Sequence, residues 1–173
     1  SPEQTQRIMN YPAYWCFCWA SRQVMARYIF DNPELLRGKR VLDFGCGSGV
    51  AAIAAKLAGA AEVIACDLDE DAIKASRANA QLNNVELAYS ADFFANEEQY
   101  DVILVADVLY DRANLPLLDA FLRRAPVVLV ADSRVKDFQV DGYRWLAFQR
   151  AITVPDLAES EEFSRVNLYL AGT

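Results

Sequence analysis

Histidine is missing from all 173 residues. Its absence excludes Ser-His-Asp and Cys-His triads, zinc sites of the His-Glu-x-x-His type, and imidazole acid–base work near neutral pH. Chemistry in this chain must run on carboxylates, hydroxyls, aromatics, backbone amides or a bound cofactor. Cysteine is scarce: Cys16, Cys18, Cys46 and Cys66 form no Cys-x-x-Cys pair and stand in apolar surroundings. They read as small buried thiols of a reducing compartment, so no metal site is expected and the expected location is cytoplasmic. Long apolar runs are also lacking. Lys56 interrupts the longest, so no segment is expected to span a bilayer. Polar and charged residues dominate the N-terminal stretch, and no secretory leader is expected there. Positive charge is in deficit, with 17 basic residues against 24 acidic ones and a net charge of −7. Such a chain lacks the electrostatic footprint of a nonspecific nucleic-acid binder.

What is present is an apolar chain, 54% hydrophobic, of a length that suits one domain with a real core. No linker divides residues 1–173. Residues 1–37 read as an N-terminal helical cap and 38–173 as a sheet core. Ala13 to Phe30 predicts an aromatic-rich helix that stops before Asn32-Pro33. Arg40–Phe44 predicts a strand, Ser48–Ala58 an Ala-rich helix, Glu62–Cys66 a second strand, and Asp69 opens a helix to about Asn83. Val85–Tyr89 and Tyr100–Val105 predict the next strands, Leu115–Arg124 a helix, and Val127–Ala131 a fifth strand. The continuously apolar runs at 102–105 and 127–130 fit a parallel sheet buried on both faces. Tyr143–Val154 and Phe163–Leu170 follow with no helix-length connection, separated by the acidic stretch 159–162, and should pair as an antiparallel hairpin. The expected fold is a doubly wound, Rossmann-like α/β sheet of seven strands, mostly parallel, with that hairpin at its C-terminal end. Ligands in such sheets bind beyond the carboxyl ends of the strands.

The strongest local signal is Val41-Leu42-Asp43-Phe44-Gly45-Cys46-Gly47-Ser48-Gly49 running straight into a helix. Glycines let the main chain turn sharply and approach a ligand closely, and the helix N-terminus adds unpaired amides. Asp67 ends the next strand, about 20 residues on, where a carboxylate can accept both hydroxyls of a ribose. Two cofactor classes use this order. Gly47-x-Gly49-x-x-Ala52 satisfies a dinucleotide fingerprint, but Asp43 would repel a pyrophosphate and the terminal hairpin is unusual in a dinucleotide domain. A carboxylate at Asp43 suits instead a ligand with a positively charged amino group, which S-adenosylmethionine carries beside its sulfonium.

The chain resembles the class I S-adenosylmethionine-dependent methyltransferases. More narrowly, it is similar to the family of electron-transfer-flavoprotein beta-subunit lysine methyltransferases and nicotinamide N-methyltransferase-like proteins. The resemblance is carried by Pro12-Ala13-Tyr14-Trp15 through Trp19-Ala20, by Gly38 to Gly49, by Val63-Ile64-Ala65-Cys66-Asp67, by Asn79-Ala80-Gln81-Leu82-Asn83, and by Tyr100 to Asp111 with its Ala106-Asp107-Val108-Leu109-Tyr110 core. It implies S-adenosyl-L-methionine as cofactor, S-adenosyl-L-homocysteine as product, and no metal. It implies that Gly45 and Gly47 cradle the methionine part, with Asp43 near its amino group and Cys46 and Gly49 also in the cofactor site. Asp67 and Leu68 would take the ribose side, Asp92 and Phe93 would lie beside the adenine, and Trp19 and Ala106 would line the cofactor site. Many relatives carry Trp where Phe93 stands.

Asp107 and Tyr110 follow the fourth strand and are the expected catalytic residues. Enzymes of this class that methylate amide or adenine nitrogens carry Asn-Pro-Pro-Tyr here, whereas this chain has Asp-Val-Leu-Tyr, so planar amides lose support and an amine gains it. The implied reaction is N-methylation of a lysine side chain on a protein partner, the electron-transfer flavoprotein beta subunit among the candidates. N-methylation of a small heteroaromatic such as nicotinamide stays open, and so does a noncatalytic cofactor-binding module. Neither nucleic acid nor membrane is an expected partner. Tyr11, Tyr14, Trp15, Phe17 and Trp19 read either as core or as a cover over the cofactor. Asp132, Ser133 and Arg134 read either as an edge of the substrate mouth or as a surface loop.

Overall fold

The computed structural model describes residues 20–109, 112–135, 138–151 and 165–173. The first described helix, α1 (Ala20–Asp31), leads to strand β1 (Arg40–Phe44), then α2 (Val50–Leu57), β2 (Glu62–Cys66), α3 (Glu70–Leu82) and β3 (Ala88–Ser90). The second half runs β4 (Val102–Ala106), α4 (Leu117–Leu122), β5 (Val127–Asp132), β6 (Tyr143–Arg150) and β7 (Arg165–Ala171). Seven strands form one sheet in the order β3-β2-β1-β4-β5-β7-β6. Strands β1 to β5 pair in parallel, and β7 lies antiparallel between β5 and β6. The doubly wound sheet with an antiparallel hairpin is thus the observed architecture.

Each face of the sheet has its own core. On one, Val24, Met25 and Ile29 of α1 and the alanines of α2 pack over Val41, Leu104, Leu129 and Leu168. Alanine is what lets α2 lie close to the strands; larger side chains would hold its axis away. On the other, Leu118 and Phe121 of α4 cover Leu42, Ile103, Val128 and Val130, with Phe44 and Phe93 in edge-to-face contact beside them. Alternate residues of β4 and β5 face opposite cores, which accounts for their unbroken apolar runs.

Several boundaries differ from the sequence expectation. Helix α2 starts at Val50 because Gly49 is left-handed, at φ +88°. A Cβ at that position would lie 2.5 Å from Ser76 Oγ, so α3 sits against the turn only because residue 49 has no side chain. Strand β3 is three residues long rather than five. Asn84, at φ +55°, turns the chain out of α3, and the Val85 amide donates back to Ala80 O at 3.0 Å. Val85 therefore belongs to the helix end and not to the sheet. Helix α4 is shorter than Leu115–Arg124, starting after Pro116. Of the predicted helix from Ala13, residues 13–19 lie outside the described residues, as do 152–154 and 163–164 of the two last predicted strands. Among the described residues, no helix is long and apolar enough to cross a membrane.

Candidate functional site

The chain crosses from one half of the sheet to the other between β1 and β4, and the loops after these strands part there. Such a switch point leaves a crevice at the strands' carboxyl ends. A cavity of about 300 Å³ fills it. Of the sequence-predicted residues, Gly45, Gly47, Asp67, Leu68, Asp92, Phe93 and Asp107 line it. Asp43, Cys46, Gly49 and Ala106 do not: the first two and the last are buried behind its wall, and Gly49 faces Ser76. Trp19 and Tyr110, and the aromatic group at Tyr11, Tyr14, Trp15 and Phe17, lie outside the described residues.

Backbone hydrogen bonds fix the shape of the glycine turn. The Cys46 amide donates to Cys66 O on β2 at 2.9 Å, and the Gly49 amide returns to Cys46 O at 2.9 Å. Asn79 of α3 holds Ser48 O through its side-chain amide, also at 2.9 Å. Asp67 closes the arrangement. Its Oδ2 accepts from the Gly47 amide and its Oδ1 from the Asp69 amide, both at 3.0 Å. The expectation gave both oxygens to a ribose; here each already holds one amide and keeps a second lone pair for a ligand.

Asp43 is 1% exposed. Burial pushes its carboxyl up to about 7, and the neighbouring Asp67 charge adds to the rise; the Arg22 guanidinium and a hydrogen bond from the Ala52 amide oppose it. Cys46 is held well above the ordinary thiol range by burial first and by the charges of Asp43 and Asp67 after it, which makes it a packing residue and not a nucleophile. Arg22 was not foreseen. It reaches from α1 to the turn, donates through Nη2 to Gly45 O at 2.5 Å and lines the cavity. A Cβ at Gly47 would come within 2.9 Å of its guanidinium carbon, so the glycine makes room for the arginine as well as for a ligand. Arg22 Nε and Asp43 Oδ2 are buried with no hydrogen-bond partner among the described residues. Nothing local marks Arg22, because its placement depends on how α1 docks.

At the other side of the cavity, Asp92 accepts from the Phe94 amide at 2.9 Å and starts a short turn. That turn sends Phe93 inward, 3% exposed, and Phe94 outward, 61% exposed, and both line the cavity. Phe94 is a second residue the sequence reading missed, and the doubled phenylalanine was the available signal.

Asp107 follows β4 in a left-handed conformation, φ +48°, which is uncommon for a residue with a side chain and recurs at functional sites. Its amide donates to Ala131 O, and its carboxylate accepts from Ser133 N at 2.9 Å and from Ser133 Oγ. Beside it at the end of β5, Asp132 is fully buried. Its Oδ2 accepts from the amides of Arg134 and Val135, while Oδ1 has no partner among the described residues. Burial raises its carboxyl to about 7, with the Asp107 charge adding to the effect. Ser133 is tied to Asp107 by its hydrogen bonds, whereas residues 132–134 do not themselves line the cavity. Among the described residues, no cluster of histidine, cysteine, aspartate and glutamate has the makings of a metal centre.

Residues 24–120 match the family model of ribosomal protein L11 methyltransferase (PrmA). Electron transfer flavoprotein beta subunit lysine methyltransferase of Xenopus laevis is 42% identical over 115 residues, which are 65% of this chain and 47% of that protein. The protein of the same name from Danio rerio is 35% identical over 159 residues, 87% of this chain and 62% of the relative. The chain thus spans about half to three-fifths of the length of these relatives. The fold is that of the ribosomal protein L11 methylase of Lactobacillus delbrueckii subsp. bulgaricus (TM-score 0.63, 19% identity, 86% of this chain and 77% of that one). It is also that of magnesium protoporphyrin IX methyltransferase of Synechocystis PCC 6803, solved with bound S-adenosylhomocysteine (TM-score 0.66, 16% identity, 89% and 84%).

Proposed function

The chain belongs to the ribosomal protein L11 methyltransferase (PrmA) family, and from that premise we propose that it is an S-adenosylmethionine-dependent methyltransferase acting on lysine side chains of a protein. The observation that carries the reading is the one cavity that joins Gly45, Gly47 and Asp67 to Asp107. Residues for an amino-acid group, a ribose and an aromatic base line it together with a carboxylate for a cationic acceptor.

The residues present fit that cofactor. Arg22, with a buried Nε left without a partner, offers a guanidinium to a carboxylate; Asp43, whose Oδ2 is likewise without a partner, lies behind the turn and favours an ammonium group next to it. Asp67 would hold the ribose hydroxyls, and Leu68 and Phe94 would cover the base. When bound, the sulfonium supplies a methyl group already activated toward a nucleophile. What remains for the protein is to orient the amine in line and to exclude water.

A lysine amine must first lose a proton, which from a pKa of about 10.4 costs roughly 4.6 kcal/mol at neutral pH. Asp107 favours the ammonium form and so captures and orients the acceptor without lowering that cost. Asp132, fully buried next to Asp107 at the end of β5, has its carboxyl raised to about 7 by burial and by the Asp107 charge. The electron transfer flavoprotein beta subunit is the acceptor that the relatives' names suggest. A reducing, cytoplasmic compartment suits the free thiols of Cys46 and Cys66.

Incubating the chain with methyl-labelled cofactor and cell lysate tests the proposal. A labelled protein band whose mass spectrum places the methyl on lysine is expected. A labelled small heteroaromatic product, or cofactor binding with no turnover on any pool, would overturn it.

A further inference from the structure

Hairpin β6–β7 carries features that cofactor binding does not use. In a regular strand, residues three apart point to opposite faces. Trp145 and Phe148 nevertheless share one, because the register shifts between Trp145 and Ala147: Trp145 stands opposite Tyr169 and Phe148 opposite Asn167, leaving Leu146 as the extra residue of a bulge. Both rings are exposed, at 55% and 45%. They are nonetheless held in place. The Trp145 indole donates to Asn167 Oδ1 at 3.1 Å, and the Arg165 guanidinium stacks 4.1 Å over the Phe148 ring.

The charge on this face is as unusual as its aromatics. Arg150 and Arg165 stand directly opposite each other in the register. Like charges so placed destabilise a strand pair. The two strands carry no acid, in a chain whose net charge is −7; of their three arginines Arg150 and Arg165 stand on this face, and Arg144, opposite Leu170, stands on the other. None of the three is in an ion pair among the described residues, where Arg40 makes the salt bridges, to Glu62 and Glu98. A surface groove of about 770 Å³ runs along the face past Trp145, Arg165 and Asn167. Among the described residues its one acid, Asp141, precedes β6 and so lies at the end of the hairpin away from Arg150 and Arg165. At the arginine end, Asn167 is the register partner of Asp132, next to Asp107 and the cofactor cavity.

We propose that this face is the docking surface for an acidic, extended segment of the methyl-accepting protein. Carboxylates of that segment would lie between Arg150 and Arg165, its apolar side chains on Trp145 and Phe148, and its lysine beyond them toward Asp107. The partner supplies a counter-charge that strands β6 and β7 do not carry, and the bulge supplies the aromatic platform. A nucleic-acid strand is the less suitable occupant, because its phosphates would run on past Arg165 to Asp141. The inference rests on reading the chain as a protein methyltransferase, but its test does not depend on turnover.

The test is fluorescence anisotropy, without cofactor, of two labelled synthetic peptides, each with one central lysine, flanked in one by aspartate and glutamate and in the other by arginine. The acidic peptide should bind the native chain about tenfold tighter or more, and Arg150→Glu with Arg165→Glu should abolish the preference. Trp145→Ala should weaken the acidic peptide several-fold, roughly as loss of an interface aromatic does. Both variants should keep the native affinity for S-adenosylhomocysteine, which shows that they are folded. Equal affinity for the two peptides, a preference untouched by charge reversal, or tighter binding of a uridine oligonucleotide would overturn the proposal. So would peptide binding that appears only when Glu159, Glu161 and Glu162 are replaced by Gln, since the counter-charge would then be the chain's own. A chain that binds the acidic peptide yet methylates no protein would sink the enzymatic reading and leave the surface standing.

Discussion

The Gly47 amide donates to Asp67 Oδ2 at 3.0 Å, tying the turn after β1 to the end of β2. The carboxylate that should hold the ribose is thereby also a brace for the loop that should hold the amino acid. Asp67→Ala is expected to weaken S-adenosylhomocysteine binding by about tenfold or more, since a charge-assisted hydrogen bond and the loop geometry are lost together. Calorimetric titration measures it; an unchanged affinity would make the ribose assignment wrong.

Arg22 makes a sharper prediction about which part of the cofactor it serves. Arg22→Ala should reduce affinity for S-adenosylhomocysteine by about tenfold, the scale of one charge-assisted contact. Affinity for methylthioadenosine, which has no amino-acid portion, should stay the same. Equal losses for the two ligands would mean that the arginine only supports the turn.

Gly49 tests the packing of α3 on the turn. An alanine there must adopt a left-handed backbone, which costs about 1–2 kcal/mol, and its Cβ would also meet Ser76 Oγ at 2.5 Å. Gly49→Ala should therefore lower stability by at least that amount in urea titration. Adding Ser76→Ala should recover part of the loss and leave the backbone share.

Asp107→Asn keeps an acceptor for the Ser133 amide but removes the charge. Methyl transfer to protein should fall while cofactor affinity holds. Equal activity of the two forms would remove Asp107 from the reaction.

Stability should also depend on pH through the buried acids. The Asp132 carboxyl sits at 3.8 when unperturbed and at about 7 in the fold, so the native state holds its proton longer than the unfolded chain does. Its contribution is fully present below 3.8 and is lost as pH rises to about 7. Asp43 acts over the same window. Melting temperature should fall across that interval, and Asp132→Asn should flatten part of the fall, its amide oxygen still accepting from Val135. An unaltered slope would mean that Asp132 ionises normally.

The legible parts of this molecule were those in which function and local chain geometry coincide. Gly45, Gly47 and Asp67 could be read because a turn that admits a ligand needs particular residues at particular spacings. Asp69 could be read as a helix start because its side chain caps the very next turn, accepting from Asp71 N. Arg22 could not, since a helix sequence does not say which of its exposed-looking side chains a later turn will draw in. Asn84 shortened β3 because a left-handed cap outweighed the apolar run behind it. The Trp145–Phe148 face was hidden for a different reason: their spacing places them on opposite faces unless a bulge intervenes, and that depends on the partner strand.

The place of β7 has a consequence for how the protein is made. Val166, Leu168 and Leu170 complete the apolar layer beneath α1, and β7 also joins β5 to β6. During synthesis β6 leaves the ribosome before the strand it pairs with, and α1 emerges long before its last neighbours. The parallel half can assemble early, but β5 and β6 both present open edges until the final strand slides between them. Any pause in translation after residue 150 would hold the nascent chain at its stickiest, and chaperone demand should peak there.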